Sequence, residues 1–187
     1  MNRREAIKKT TALLGGVVFA PTIFGVLRGC TPSDETWRPE LFNANQVDLT
    51  TNLADIIIPE TDTLGAVAAG VPGFIEKMVN EVYTHDERET FLDGLDEFDE
   101  TCRRETSQSF FQLSKEEQHE FALAQNKHAI ESEFSEGPQF FLIFKELTLI
   151  GFFTSEPGAI EVLRYEPVPG IYQGCIPFED VGRTWAT

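Results

Sequence analysis

Basic residues are in short supply. Lysine and arginine number 15 against 31 aspartates and glutamates, a formal net charge of −16. A nucleic-acid binder needs the opposite balance, because each phosphate contact takes a cation. Adhesion to anionic lipid through surface charge is excluded on the same ground. Histidine and cysteine occur three times each, as His85, His119, His128 and Cys30, Cys102, Cys175. No CxxC pair offers a thiolate metal site. No GxGxxG or P-loop cradles a phosphate, and no GxSxG elbow presents a nucleophile. Tyrosine (3) and tryptophan (2) are few beside 16 phenylalanines, so either the core or a partner-facing surface is built on Phe.

What is present fits one folded domain. The chain has 187 residues, 41% hydrophobic and 25% charged, in the range of globular proteins and too short for two comfortable domains. Its first 29 residues stand apart. They hold five of the fifteen basic residues and one of the thirty-one acidic ones, so the remainder carries ten against thirty. Residues 10–27, TTALLGGVVFAPTIFGVL, are uncharged. A basic start followed by an apolar run is the layout of an export signal. Arg3, Arg4, Ile7 and Lys8 resemble a twin-arginine translocation signal, a route that carries folded proteins. The run ends in Leu27-Arg28-Gly29-Cys30, which resembles a lipoprotein cleavage box with Cys30 as the lipidated residue. The alternative is an uncleaved membrane anchor, 18 residues being just enough to span, although Gly15, Gly16, Pro21 and Gly25 weaken it as a helix. Either way the expected location is periplasmic or extracytoplasmic and membrane-anchored. Residues 30–40 are expected to be a tether. Residues 41–187 are expected to form a single domain with a C-terminal arm from about 156.

The domain reads as all-α, a small bundle of about five helices. Residues 45–58 place Val47, Leu49, Leu53, Ile56 and Ile57 near one side, with Pro59 as a stop. Pro72 suits the first turn of a second helix reaching about Tyr83, with Phe74, Ile75, Met78, Val79 and Val82 as its stripe. In 86–106, Phe91, Leu95, Phe98 and Cys102 recur at helical spacing opposite a dense acidic face. Ser114 with Glu117 forms a capping box that opens a helix to about Ile130. After Gly137-Pro138, residues 139–154 are apolar almost all round, as in a central buried helix. From about 156 prolines, glycines and aromatics dominate and helical period is lost after Leu163. An extended arm of this kind has few internal hydrogen-bond partners. It lies either across its own helices or across a partner.

Candidate chemistry is sparse. Glu116 and His119 stand three apart on a helix, half of a di-iron carboxylate pattern, and His128 precedes Glu131. Such spacings arise by chance in a Glu-rich stretch, and no metal site is expected. Asp62, in a Thr-rich turn, reads as an Asx turn or cap rather than an ion ligand. No catalytic residue and no cofactor-binding residue is assigned. Cys102 and Cys175 remain for a disulfide in an oxidising compartment, paired with each other or with another subunit. A folded, acidic, exported helical protein of this kind is expected to be a subunit or chaperone.

The segment LADIIIPETDTLGAVAAGVPGFI at 53–75 resembles the gluconate 2-dehydrogenase subunit 3 family. So do KELTLIGFFTSEPG at 145–158 and YEPVPGIYQGC at 165–175. Leu64 stands where members often have Pro. The resemblance implies a small subunit without a cofactor of its own. Its partner is then a large FAD-containing dehydrogenase subunit of the glucose-methanol-choline type, with a cytochrome c or quinone downstream. It also implies that the twin-arginine signal serves both subunits. Tyr165, Pro169, Tyr172 and Trp185 are the expected interface anchors, with 59–73 as a second contact and Cys175 as an intersubunit thiol. Two rival readings are a stand-alone lipoprotein binding an envelope component and a helical metalloprotein using His119 and His128.

Overall fold

A computed structural model describes residues 37–136, 139–168, 170 and 175–186. The export-signal residues Arg3, Arg4, Ile7 and Lys8, the lipidation candidate Cys30, and the arm residues Pro169 and Tyr172 lie outside the described residues. The architecture is the expected one: a small all-α bundle, α1 (Ala44–Ile57), α2 (Val71–Glu81), α3 (His85–Thr106), α4 (Lys115–Glu136) and α5 (Phe140–Thr154). A 3-10 turn (Phe110–Gln112), a π turn (Gly158–Val162) and a four-residue helix α6 (Phe178–Val181) complete the order. No strand occurs among the described residues. None of the described helices is long and apolar enough to cross a membrane.

Three of the five long helices start where side chains accept their first backbone amides. Asn43 and Gln46 form a reciprocal capping box on α1, and Thr84 and Glu87 form another on α3. The Ser114–Glu117 box is also present, with Ser114 N donating to Glu117 Oε2 at 2.8 Å. It opens α4, which runs six residues past the expected end because no breaker precedes Gly137-Pro138. Pro72 sits in the first turn of α2, whose N-cap Gly70 takes a left-handed φ of 78°. An L side chain avoids that conformation and glycine does not.

Phenylalanine fills the core. The α3 stripe of Phe91, Leu95, Phe98 and Cys102 is wholly buried, as its spacing requires. Phe91 contacts Phe42, Tyr83, Phe140 and Phe144 at centroid distances of 5.4–6.4 Å. Phe98 contacts Phe110, Phe121, Phe140 and Phe141 at 5.2–6.5 Å. Edge-on and offset pairs at such distances add to plain area burial. Phe110 reaches this cluster from the 3-10 turn, where Asp99 accepts from its N–H at 2.8 Å and Gln118 donates to its carbonyl at 2.9 Å.

α5 packs against all four other long helices and the π turn. Its buried face is Phe141, Phe144, Leu147, Thr148, Gly151 and Phe152. The sequence pattern predicted burial on every side, and here the structure differs. Leu149, Ile150 and Phe153 face solvent, because α5 lies at the surface of the bundle and nothing among the described residues covers its outer side. Val82, expected in the α2 stripe, is likewise exposed, since α2 ends at Glu81.

The expected tether also ends sooner than its composition implied. Glu76, on α2 and only 6% exposed, accepts Trp37 Nε1–H at 2.6 Å on one carboxylate oxygen. Its other oxygen accepts the backbone N–H groups of Glu40, Leu41 and Phe42 at 2.9, 2.7 and 2.9 Å. Residues 37–42 are therefore part of the folded domain. Burial alone pushes the Glu76 carboxyl up, but the donors from Phe42, Trp37, Leu41 and Glu40 together hold it below its ordinary 4.5. A carboxylate depressed on folding contributes stability that is full above the unfolded value and is lost as pH falls through the lower folded value. Glu76→Gln is expected to lower stability by about 1–3 kcal/mol at neutral pH, read by denaturant unfolding. Its deficit relative to wild type shrinks as the pH drops below 4.5. A pH-independent deficit is the contrary result.

Candidate partner interface

The arm begins with a tight fold-back beneath α5. Ser155 Oγ donates to Phe152 O at 2.6 Å and accepts from Gly158 N at 3.2 Å. Gly158 is buried, and a Cβ there would sit 1.9 Å from Phe152 O. Only glycine fits, so the direction in which the chain leaves α5 is fixed. The π turn then closes through Leu163 N to Gly158 O at 2.9 Å.

Arg164 clasps residues 181–186. Its N–H donates to Thr184 O at 2.8 Å and its carbonyl accepts from Ala186 N at 2.9 Å, a single parallel bridge with Trp185. Its Nη1 donates to Val181 O at 3.0 Å. Its guanidinium carbon lies 4.5 Å from the centroid of the Trp185 ring, within cation–π range. Arg183 adds a donor to Glu161 O. The expected extended arm is therefore a loop pinned at its root. The loop presents Tyr165, Val168, Ile176 and Phe178 to solvent, the last on α6.

Of the expected anchors, Tyr165 stands exposed at the root of the loop, and Trp185 is engaged by Arg164 while keeping part of its face open. Sequence reasoning passed over Arg164. The signal was available: Arg164 and Arg183 are the only cations in residues 156–187, and a guanidinium among aromatics is drawn to a ring face.

Cys102 and Cys175 stand apart as free thiols, the first buried and the second exposed. Cys102 points into the core, its Sγ 3.7 Å from Thr106 Oγ1, and burial with the nearby Asp99 and Glu105 charges pushes its pKa up. Such a thiol is poorly nucleophilic. Cys175 is exposed.

The second expected contact, residues 59–73, is a compact loop. Ala66 N donates to Ile58 O at 2.9 Å, and a Cβ on Gly65 would lie 2.6 Å from Glu60 N. Leu64 and Val67 project outward from it. Elsewhere, Phe98, Phe140 and Phe141 floor a cleft of about 530 Å³, rimmed by Glu97, Arg104 and His128. His119 and Glu116 are exposed on α4. Among the described residues no group of three or more His, Cys, Asp or Glu is placed to hold a metal ion.

Residues 44–170 match the family model described as gluconate 2-dehydrogenase subunit 3. The chain belongs to the gluconate 2-dehydrogenase subunit 3 family. No curated protein and no solved structure matches it. As a gluconate 2-dehydrogenase subunit 3 protein, the chain is an accessory subunit of an oxidoreductase complex. The matched stretch contains α1 to α5, the π turn, Arg164 and Tyr165, and ends at Gly170. Cys175, α6 and Trp185 lie beyond it.

Arg164→Ala is expected to free the C-terminal segment while leaving the helices intact. Amide exchange across residues 175–186 should rise at least tenfold with the melting temperature almost unchanged. Protection equal to wild type is the contrary result.

Proposed function

We propose that this chain is the non-catalytic small subunit of an exported, membrane-associated dehydrogenase. The catalytic partner is a large FAD-containing subunit of the glucose-methanol-choline type acting on a sugar or sugar acid, with a cytochrome c subunit or quinone as acceptor. The family match over 44–170 carries the reading. The N-terminal Arg3-Arg4 pattern supports a further role. FAD has to be inserted before the flavoprotein crosses the membrane, and the twin-arginine translocase accepts folded cargo. One signal then serves two subunits, with lipidated Cys30 or the uncleaved leader as the anchor.

The clasped loop supplies contacts suited to this task. A loop already closed by Arg164 loses little further freedom on docking, which favours affinity. Tyr165 and the open face of Trp185 are amphipathic ring anchors of the kind that dominate interfaces.

Four measurements test the reading. Replacing Arg3 and Arg4 together by Lys should leave both subunits in the cytoplasm, as seen by fractionation and flavin fluorescence. Normal export of the flavoprotein in cells lacking this chain defeats the co-export role. Deleting residues 166–187 should abolish co-purification of the yellow large subunit, and unchanged pull-down defeats the arm's role. Sugar oxidation by the isolated chain would overturn the non-catalytic assignment.

A further inference from the structure

The exposed side of α5 belongs to a two-helix surface. Lys145 Nζ on α5 donates to Asn126 Oδ1 on α4 at 2.6 Å, so these two residues mark where the helices run side by side. On α4, Leu123 lies three residues before Asn126 and Ile130 four after it. On α5, Leu142 lies three before Lys145 and Leu149 four after it, with Phe153 one turn further. Residues three and four apart share a helix face. The hydrogen bond is therefore flanked on each helix by large apolar side chains at the same two offsets. Leu123 is 60% exposed, Ile130 47%, Leu149 39% and Phe153 37%. From 142 to 153 the ridge on α5 runs about 16 Å at 1.5 Å per residue. Phe153 then brings it to the π turn, which packs on α5 and exposes Ile160. The surface thus continues into the root of the clasped arm.

We infer that this α4–α5 seam is a docking face for the catalytic flavoprotein subunit, continuous with the arm. The inference rests on the subunit reading above. Three observations favour that occupant. The seam lies wholly inside residues 44–170, the stretch that makes the chain a subunit. Large apolar side chains bounded by a polar and charged margin are the anatomy of a protein interface. The margin is predominantly acidic: Glu116 and Glu120 on α4 and Glu146 on α5 are exposed, while Lys127 is paired with Glu131 at 4.0 Å. A second copy would bring the same acids face to face, and anionic lipid would be repelled as well. The seam calls for a partner with an apolar patch and a basic margin.

The experiment uses the full chain co-expressed with the dehydrogenase subunit of its own complex. Leu123→Glu and Leu149→Glu, each on a solvent-facing site, are expected to weaken capture of the flavoprotein at least tenfold, with helicity and melting temperature kept near wild type. A photo-crosslinking residue in place of Leu123 should label the flavoprotein, a readout independent of those variants' folding. Capture and labelling equal to those at an exposed control position on α3, such as Glu89, overturn the face assignment alone, because wild type still binds. A wild-type chain that captures no flavoprotein at all overturns the subunit reading itself. A wild-type chain that dimerises in solution and turns monomeric on Leu149→Glu shows a self-contact, which also overturns the proposal.

Discussion

The bundle depends on one stripe of side chains on α3. Phe91 and Phe98, seven residues apart, make eight contacts with seven other rings, and Phe140 touches both. Rings are rigid and large, so a few of them bring three helices, the 3-10 turn, Phe42 and Tyr83 into register with little loss of side-chain freedom. Close approach makes this possible. At Gly94, an added Cβ would lie 2.5 Å from the Phe140 ring, and at Gly151 2.6 Å from Phe74. The phenylalanine excess in the composition is thereby spent mostly inside the molecule, leaving the tyrosine and tryptophan of the arm for the outside.

Much of the fold was legible in the sequence, for a local reason. The α3 stripe, Pro72 at the start of α2 and the Ser114–Glu117 box are all set by residues within one or two turns of each other. The Thr84–Glu87 box carried the same signature and was overlooked. What was not legible depends on residues distant along the chain. Glu76 reaches back 39 positions to Trp37, and periodicity gives no hint that a carboxylate on an apolar stripe will gather four donors. Arg164 and Trp185 meet only because the chain turns back on itself. The outer side of α5 misled for the opposite reason. Hydrophobicity all round a helix signals contact on every side, but it does not say whether the contact is made within the chain or with another one.

The candidate site shows the same division. Long motifs at 53–75 and 145–158 pointed to the family and fall inside the matched residues. They also fall on structurally demanding places: the tight 59–70 loop around Gly65, and the α5-to-π-turn junction around Gly158. The same segments that fix the backbone therefore frame the exposed apolar surfaces beside them. Leu64 and Val67 ride on the first, and Phe153 and Ile160 on the second. Shape and exposed apolar surface are thus specified together in both segments.

The Arg164 bridge has a practical corollary. Because Ala186 is hydrogen-bonded to residue 164, a reporter attached at Ala186 would emerge at the base of the loop rather than at a remote tip. It would sit beside Tyr165 and Trp185 and mask the surface it was meant to report on.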